Sequence, residues 1–448
     1  MDLDNVSDDE INIKKVRVKF VTKDPAIRVT ETPIAVPESL QRYGLSEVVN
    51  HLLGRDPPTP FDMLVLGRFL RSSLASVMRK NVLSGESVLE VEYMPALRQP
   101  TEAEHCEQPD WVSAVAVGSR VDGRRTFVTG CYDGCLRVYG TDCKLTSNTK
   151  AHQSPVTALC AIPASGSNDD KIAGFLSGGK DMTARLWKSV GSGSNASLEA
   201  AAVLRGHNNS VSAAYASGAA AYTGDWDGHV CIWDVAAVLD SDKNNGNVKA
   251  VKRRKGEEGA REASMLEMKA TVNFRAHAQT VTGLAGIRPG EAGAKSGTGA
   301  QTLYSASLDR AIKTWDAERQ DCVHTLNAPK AVTCLSCSSN GRMLATGHPD
   351  ARVRIWDTRA QGETLTRASL ASHKQWITAV AWAPGSETMV ISCGHDGVLK
   401  LWDIRATVPL HSAEAHEGKA LCCGWLGSRI ISGGTDGAIK TYLIPDRS

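Results

Sequence analysis

Apolar and charged side chains alternate near the start of the chain: Val16, Val18 and Phe20 are separated by Arg17 and Lys19. A period of two is that of a half-buried strand. Farther on, Ser46 precedes Glu47-Val-Val-Asn-His-Leu-Leu53 and Gly54 follows, which predicts a short helix with Ser46 as N-cap and glycine as the stop. Val49, Leu52 and Leu53 give that helix one apolar face. Beyond Pro57-Pro58, residues Phe61 to Leu66 read as a strand, and Leu70, Leu74 and Val77 mark a second short helical turn. Leu89, Val91 and Tyr93 alternate with Glu90 and Glu92, predicting a closing strand.

This order of strand, strand, helix, strand, short helix and strand over residues 14–94 predicts a β-grasp, ubiquitin-like domain. From residue 111 the pattern changes to a repeat, Ser/Thr-x3-Asp-x5-Trp/Tyr, that occurs seven times. Its members are Thr129/Asp133/Tyr139, Ser177/Asp181/Trp187, Thr223/Asp227/Trp233, Ser305/Asp309/Trp315, Thr346/Asp350/Trp356, Ser392/Asp396/Trp402 and Ser432/Asp436/Tyr442. Upstream of most stands a histidine after a small residue: His152, His207, His277, His373 and His416. This is the WD-repeat signature, and its period is that of a four-stranded propeller blade. The expected fold is therefore mostly β, a small ubiquitin-like domain followed by a seven-bladed propeller over 111–445.

The spacing sets the aromatic inside one strand, the Asp in the turn before it and the Ser/Thr at the end of the preceding strand. A His entering the blade then bridges Ser/Thr and Asp, and such fully paired polar networks rigidify their surroundings. The expected members include His207, Thr223, Asp227 and Trp233 in one blade and His373, Ser392, Asp396 and Trp402 in another. The same residue types make a hydrolase triad, but an enzyme needs one and this chain repeats the set, so the pattern reads as scaffold and no catalysis is expected.

The turn aspartates advance by 48, 46, 82, 41, 46 and 40 positions. Residues 235–273 fill the long step with Asp240-Ser-Asp-Lys-Asn-Asn-Gly-Asn, Lys252-Arg-Arg-Lys255 and Glu257-Glu258, without apolar alternation. A disordered basic insertion is expected there rather than an eighth blade. The fifth blade is irregular, because Asn327-Ala-Pro-Lys330 replaces the His entry. Residues 95–110, with Pro95, Pro100 and Pro109, read as a linker. Supplying the outer strand of the last blade is the open alternative for part of it.

Composition narrows the function classes. A net charge of +2 over 448 residues argues against nucleic-acid binding by bulk electrostatics, while RNA contact through a local patch stays open. No apolar stretch approaches the roughly twenty residues that span a bilayer, so no membrane partner is expected. Residues 1–13 form an acidic tail without the hydrophobic core of a secretory signal. The twelve cysteines are then expected as reduced thiols, many of them in strand patterns (Cys131, Cys231, Cys422). Cys334-x2-Cys337 looks like half a zinc site but has no second pair at finger spacing.

Ser39-Leu-x-Arg-Tyr-Gly-Leu-Ser-Glu-Val-Val-Asn-His-Leu-Leu-Gly54, Pro60-Phe-Asp62, Leu70-Arg-x-Ser-Leu74, Val91-Glu-Tyr93 and Asp110-Trp-Val-Ser113 resemble the Notchless-like (NLE) class of WD-repeat ribosome-assembly factors. The run from Arg42 to Gly54 resembles the branch of that class that works with pescadillo and the block-of-proliferation WD-repeat protein. The resemblance implies a non-catalytic role on precursors of the large ribosomal subunit, in pre-rRNA processing and particle maturation, in nucleolus and nucleoplasm. It also implies that midasin, an AAA-type ATPase, grips the amino-terminal domain through a metal-ion-dependent adhesion site and pulls the complex off the particle. No cofactor of the chain's own is implied. The Mg²⁺ belongs to midasin and is completed by Glu86, the residue of Leu83-Ser-Gly-Glu86-Ser-Val-Leu89 at the family's position. Mg²⁺ favours hard oxygen ligands and accepts a carboxylate readily.

Two further motifs carry expectations. Lys252, Arg253, Arg254 and Lys255 form a short basic tetrad suited to nuclear import. Ile355-Trp-Asp-Thr-Arg359 and Leu401-Trp-Asp-Ile-Arg405 match the WDxR box by which some propellers dock on a ligase adaptor. Arg359 and Arg405 would be the contacts of an alternative function, substrate receptor of a cullin-RING ubiquitin ligase.

Overall fold

The computed structural model describes residues 14–82, 87–119, 125–164, 172–190, 197–217, 220–239, 266–287, 302–316, 319–359 and 366–445. The chain forms two compact units, Met1–Arg98 with Pro445–Ser448, and Gln99–Ile444.

The first unit is a five-stranded mixed sheet with two helices. Its strands are β1 (Lys15–Val21), β2 (Ile34–Pro37), β3 (Phe61–Val65), β4 (Arg68–Phe69) and β5 (Leu89–Pro95), in the order β2-β1-β5-β3-β4. β1 and β5 run parallel at the centre. The alternation in both strands sends Val16, Val18, Phe20, Leu89, Val91 and Tyr93 inward, where Leu45 and Val49 of helix α1 (Arg42–Leu53) and Leu74 and Met78 of α2 (Leu74–Lys80) cover them. Tyr93 holds the chain after β1 in place, accepting from Val29 N (3.0 Å) and donating to Ile27 O (2.5 Å).

Helix α1 starts four residues before the expected cap. Ser46 lies inside it, and its hydroxyl accepts a hydrogen bond from Phe61 N (2.9 Å). One turn on, Asn50 accepts from Thr59 N (2.9 Å) and donates to Thr59 O (2.7 Å). Both side chains tie the helix to the entry of β3 instead of capping it. The stop is as the sequence suggests: Gly54 takes the left-handed conformation (φ 62°) and its N–H bonds back to the last turn.

The second unit is a ring of seven antiparallel sheets, each with strands a to d from the centre outward. Blade one shows the pattern with Val112–Ser119, Arg125–Cys131, Cys135–Gly140 and Leu145–Lys150. Blade seven takes its strands a to c from Ala420–Leu426, Arg429–Gly434 and Ala438–Leu443. Its outer strand is β6 (Thr101–Glu107), in register Thr101↔Leu443 to Glu107↔Ala438. The segment read as a linker over 95–110 is thus mostly a strand, and the first and last strands of the propeller unit close the ring together.

The insertion expected over 235–273 is also shorter than its sequence suggested. Ala236–Leu239 is a helical turn. Leu266–Lys269 pairs in parallel with the outer strand of blade two, Ser197–Arg205, as a fifth strand. Val272–Arg275 is the outer strand of blade three. Leu266 and Met268, then Val272 and Phe274, do alternate with polar residues, but each run is only four residues long and most of these residues are exposed, so the alternation does not stand out from the insertion around it. Residues 240–265 lie outside the described residues.

Hydroxyl groups stitch neighbouring blades around the channel. A hydroxyl residue at the entry of strand a donates to a carbonyl at the entry of strand a in the next blade: Ser113 to Val156 (2.6 Å), Ser212 to Val281 (2.6 Å), Thr282 to Val332 (2.8 Å), Thr333 to Ile377 (2.6 Å) and Thr378 to Ala420 (2.7 Å). Thr157 makes the same bond to Val211. Leu421 occupies this position in blade seven, and the neighbouring Cys422 Sγ reaches Val112 O at 3.7 Å. Val-Ser or Val-Thr pairs at the entries of blades one to five, and Ile377-Thr378 at that of blade six, are visible in the sequence, but alternation alone does not mark them as links.

Candidate functional site

The repeated polar sets form networks at one end of each blade. In blade six His373 Nδ1 contacts Asp396 (3.0 Å), Nε2 contacts Ser392 Oγ (2.8 Å), and Trp402 Nε1 donates to the same Oγ (2.8 Å). A carboxylate only accepts, so Nδ1 carries the proton, Nε2 accepts from the serine, and the serine accepts from the indole. Burial pushes the His373 pKa down against the pull of Asp396, which keeps the imidazole neutral near pH 7. Ser392 and Trp402 are completely buried, with the serine oxygen held on two sides. No substrate carbonyl reaches such an oxygen, so the group has the residues of a hydrolytic triad without access to one.

Blades two and four repeat this arrangement, indole included, with His152/Asp181/Ser177 and His277/Asp309/Ser305, and blade seven repeats its histidine contacts with His416/Asp436/Ser432, where Tyr442 replaces the tryptophan. Burial opposes ionisation of Asp181, but hydrogen bonds from His152 and Thr183 outweigh it and its pKa falls to about 2.

Blade three departs from the expectation. His207 Nδ1 contacts Asp225 Oδ2 (2.8 Å), not Asp227, while Nε2 meets Thr223 (2.6 Å) and Trp233 Nε1 donates to Thr223 (2.8 Å). Asp227 is exposed and accepts from Asn209 Nδ2 at 2.9 Å. The physical reason lies two residues after the Ser/Thr. Blades two, six and seven have glycine there, and a Cβ on Gly179 or Gly434 would come within 2.5–2.6 Å of the histidine ring. Blade three carries Asp225 at that place, so its carboxylate already faces His207 and the turn aspartate is displaced.

Blade five uses the same position differently. Pro329 stands where other blades have histidine, and His348, two residues after Thr346, supplies the imidazole. Its Nε2 contacts Thr346 Oγ1 and its Nδ1 the carbonyl of Ala331, both at 2.8 Å. Burial, with Arg354 nearby, lowers the His348 pKa to about 4. Asp350, deprived of a histidine, pairs with Arg354 at 2.5 Å. Blade one solves the same loss in the same way: Gln108 takes the histidine place and bonds Tyr139, and Asp133 pairs with Arg137 (2.5 Å).

The remaining predicted residues fall into separate places. Glu86 lies outside the described residues, in the segment that joins α2 to β5. Flanking that segment in sequence, Val82 is 92% exposed and Val88 also projects into solvent. Lys252, Arg253, Arg254 and Lys255 lie outside the described residues as well. Arg405 is committed within its own blade, donating to buried Asp403 from Nε (2.9 Å) and Nη2 (2.7 Å). Arg359 is exposed, its backbone N–H capped by Asp357 at 3.0 Å. Only one of the two WDxR arginines therefore presents its guanidinium outward. Cys334 is in strand a of blade five, where burial pushes its thiol up to about 12, opposite to what a thiolate ligand needs. Among the described residues no His, Cys, Asp and Glu set gathers as a metal site. No helix among them is long and apolar enough to cross a membrane.

A β-grasp unit ahead of a seven-bladed ring with buried blade networks defines a WD-repeat protein with an NLE-type amino-terminal domain. The NLE (NUC135) domain model matches residues 16–78, and the WD domain, G-beta repeat, matches 143–188, 199–234, 320–357 and 365–403. The chain is 34% identical to the ribosome biogenesis protein WDR12 homolog of Chlamydomonas reinhardtii, over 96% of this chain and 97% of that protein. It is 35% identical to the WDR12 homolog of Oryza sativa subsp. japonica (94% and 95% covered), and 31% identical to the ribosome biogenesis protein YTM1 of Eremothecium gossypii (95% and 96% covered). The chain belongs to this WDR12/YTM1 family.

Proposed function

We propose that this protein is a non-catalytic assembly factor of the large ribosomal subunit, acting as the handle by which a finished complex is withdrawn. A role in ribosome assembly, and with it association with preribosomes, follows from family membership, since relatives named for ribosome biogenesis align over nearly the whole chain. That end-to-end match is the observation that carries the reading. In it, the propeller binds pescadillo and the block-of-proliferation protein in nucleolus and nucleoplasm, and the amino-terminal unit offers Glu86 to midasin. The Mg²⁺ of midasin's adhesion site would gain one hard carboxylate oxygen from Glu86, in keeping with the ion's preference for oxygen donors. Exposed Val82 and Val88 support the reading, because apolar side chains flanking that segment suit a protein contact. The buried Ser, His and Asp sets support a scaffold, since nothing reaches their oxygens.

The test is affinity purification of the tagged full-length protein and its Glu86→Ala and Glu86→Asp variants, with mass spectrometry of what accompanies them. Wild type is expected to recover pescadillo, block-of-proliferation, midasin and large-subunit precursors. Both variants are expected to lose midasin by at least about tenfold while keeping the other two, because Mg²⁺ demands near-ideal octahedral geometry. Undiminished midasin with Glu86→Ala would remove Glu86 from the contact, and a cullin adaptor in place of preribosomes would overturn the reading.

A further inference from the structure

Three of the ten tryptophans are solvent-exposed, and all three lie at the same end of the ring. Trp111, Trp226 and Trp376 are 46%, 46% and 54% exposed. Their common location follows from one repeated backbone bond, in which the residue after strand b donates to the residue before strand a. Tyr132 bonds Trp111 in this way (2.9 Å), Trp226 bonds Ser210 (3.1 Å), Leu308 bonds Thr280 (3.2 Å) and His395 bonds Trp376 (2.8 Å). These equivalent positions on blades one, three, four and six also expose Tyr132 and Leu308.

The rings are held in place before any partner arrives. Trp111 packs on Tyr132 with centroids 5.1 Å apart, and Trp376 lies flat on His395 at 6.0 Å and 6°. Lys180 sits 5.9 Å over the Trp226 ring. Between blades three and four, Trp226 and Leu308 form the apolar walls of a groove of about 510 Å³ that also presents Arg275 and His229. Exposed tryptophans in fixed positions are the usual energetic centres of protein contacts, and fixed rings lose little entropy on binding.

Charge selects the partner. Lys180, Arg310, Lys330, Lys374 and Lys419 project from the same turns and entries, and none of them forms an ion pair among the described residues. The turn acids are mostly engaged: Asp133 and Asp350 by arginines, Asp181, Asp309, Asp396 and Asp436 by histidines, and Asp227 by Asn209. Glu417 is the exposed acid on these loops without a side-chain partner of that kind. A neutral imidazole leaves its aspartate charged, so unpaired cations and carboxylates alternate over this surface, and a continuous phosphate backbone would meet an aspartate at every turn. Separate carboxylates spaced by apolar residues can meet the lysines one by one and avoid the aspartates.

We propose that this end of the propeller is a docking surface for an acidic segment of a partner protein, one that sets leucine or phenylalanine side chains against Trp111, Trp226 and Trp376 and carboxylates against the surrounding lysines. The surface belongs to the propeller unit and is independent of Glu86, so the two readings fail separately.

The full-length protein carrying Trp376→p-benzoylphenylalanine, and in a second preparation Trp226→p-benzoylphenylalanine, is irradiated in cells and the attached material sequenced. Attachment to a defined protein segment rich in Asp and Glu with interspersed large apolar residues is the expected result. That segment, made synthetically, is then titrated into full-length wild type, Trp376→Ala and Lys374→Glu. Each substitution is expected to weaken binding at least about tenfold, while the thermal midpoint stays with wild type because both side chains are exposed. Attachment to RNA, to a neutral or basic segment, or to nothing at either position overturns the proposal, as does binding that neither substitution changes.

Discussion

Two carboxylates two residues apart, Asp225 and Asp227, show how much one side-chain position decides. Asp227 fits the repeat spacing, whereas Asp225 is buried against His207 and holds its proton-bearing nitrogen. Removing a charged acceptor from a buried donor costs about 2–3 kcal/mol, and an exposed polar contact about 0.5 kcal/mol or less. Asp225→Ala is therefore expected to lower the urea midpoint clearly and Asp227→Ala hardly at all; the reverse order would reinstate the turn aspartate as the network member. The error had a readable signal. The residue two after the Ser/Thr is small (Gly179, Ser307, Gly394, Gly434) where the turn aspartate reaches histidine, Asp225 where it does not, and His348 or Cys131 where the entry histidine is missing. That one position across the blades carries both substitutions, whereas the spacing to the aromatic is blind to it.

Elements were legible to the extent that one face of them is buried. Strands a to c of each blade lie between neighbours, so their alternation and turn residues survive in the sequence. The outer strands Leu266–Lys269, Val272–Arg275 and Thr101–Glu107 have little buried face and read as loop or linker. Turn chemistry was legible only in part. The residue after the turn aspartate has φ near 70° as Gly134, Gly397 and Gly437, but the same turn is closed by Met182 (φ 62°), Arg310 (φ 72°) and Ala351 (φ 61°). A side chain in the left-handed region costs roughly 1 kcal/mol relative to glycine. Ala351→Gly is thus expected to stabilise the protein by about 0.5–1 kcal/mol, offset slightly by glycine's larger unfolded entropy. A raised midpoint in thermal unfolding would agree, and a lowered one would mean that the turn in blade five is held by its Asp350–Arg354 pair rather than strained.

At the scale of the whole ring, closure depends on a strand that precedes all seven repeats in sequence. β6 shields one edge of Ala438–Leu443, and its neighbour Gln108 continues inward, donating its N–H to Gly437 O at 2.7 Å and its side-chain amide to the Tyr139 hydroxyl in blade one. One short stretch thus completes blade seven and supplies the network of the blade beside it. An unpaired strand edge also invites association with other chains. A propeller fragment beginning at Gln99 is expected to remain monomeric, whereas one beginning at Asp110 should lose more than about 10 °C of thermal midpoint, a loss of several kcal/mol for a unit of this size, and associate on size exclusion. Adding a synthetic peptide of residues 99–109 in trans should restore part of that midpoint by mass action. Equal midpoints for the two fragments would show that the inner strands close the ring without β6, through the hydroxyl links from Ser113 to Thr378 and the Cys422–Val112 contact at the seam.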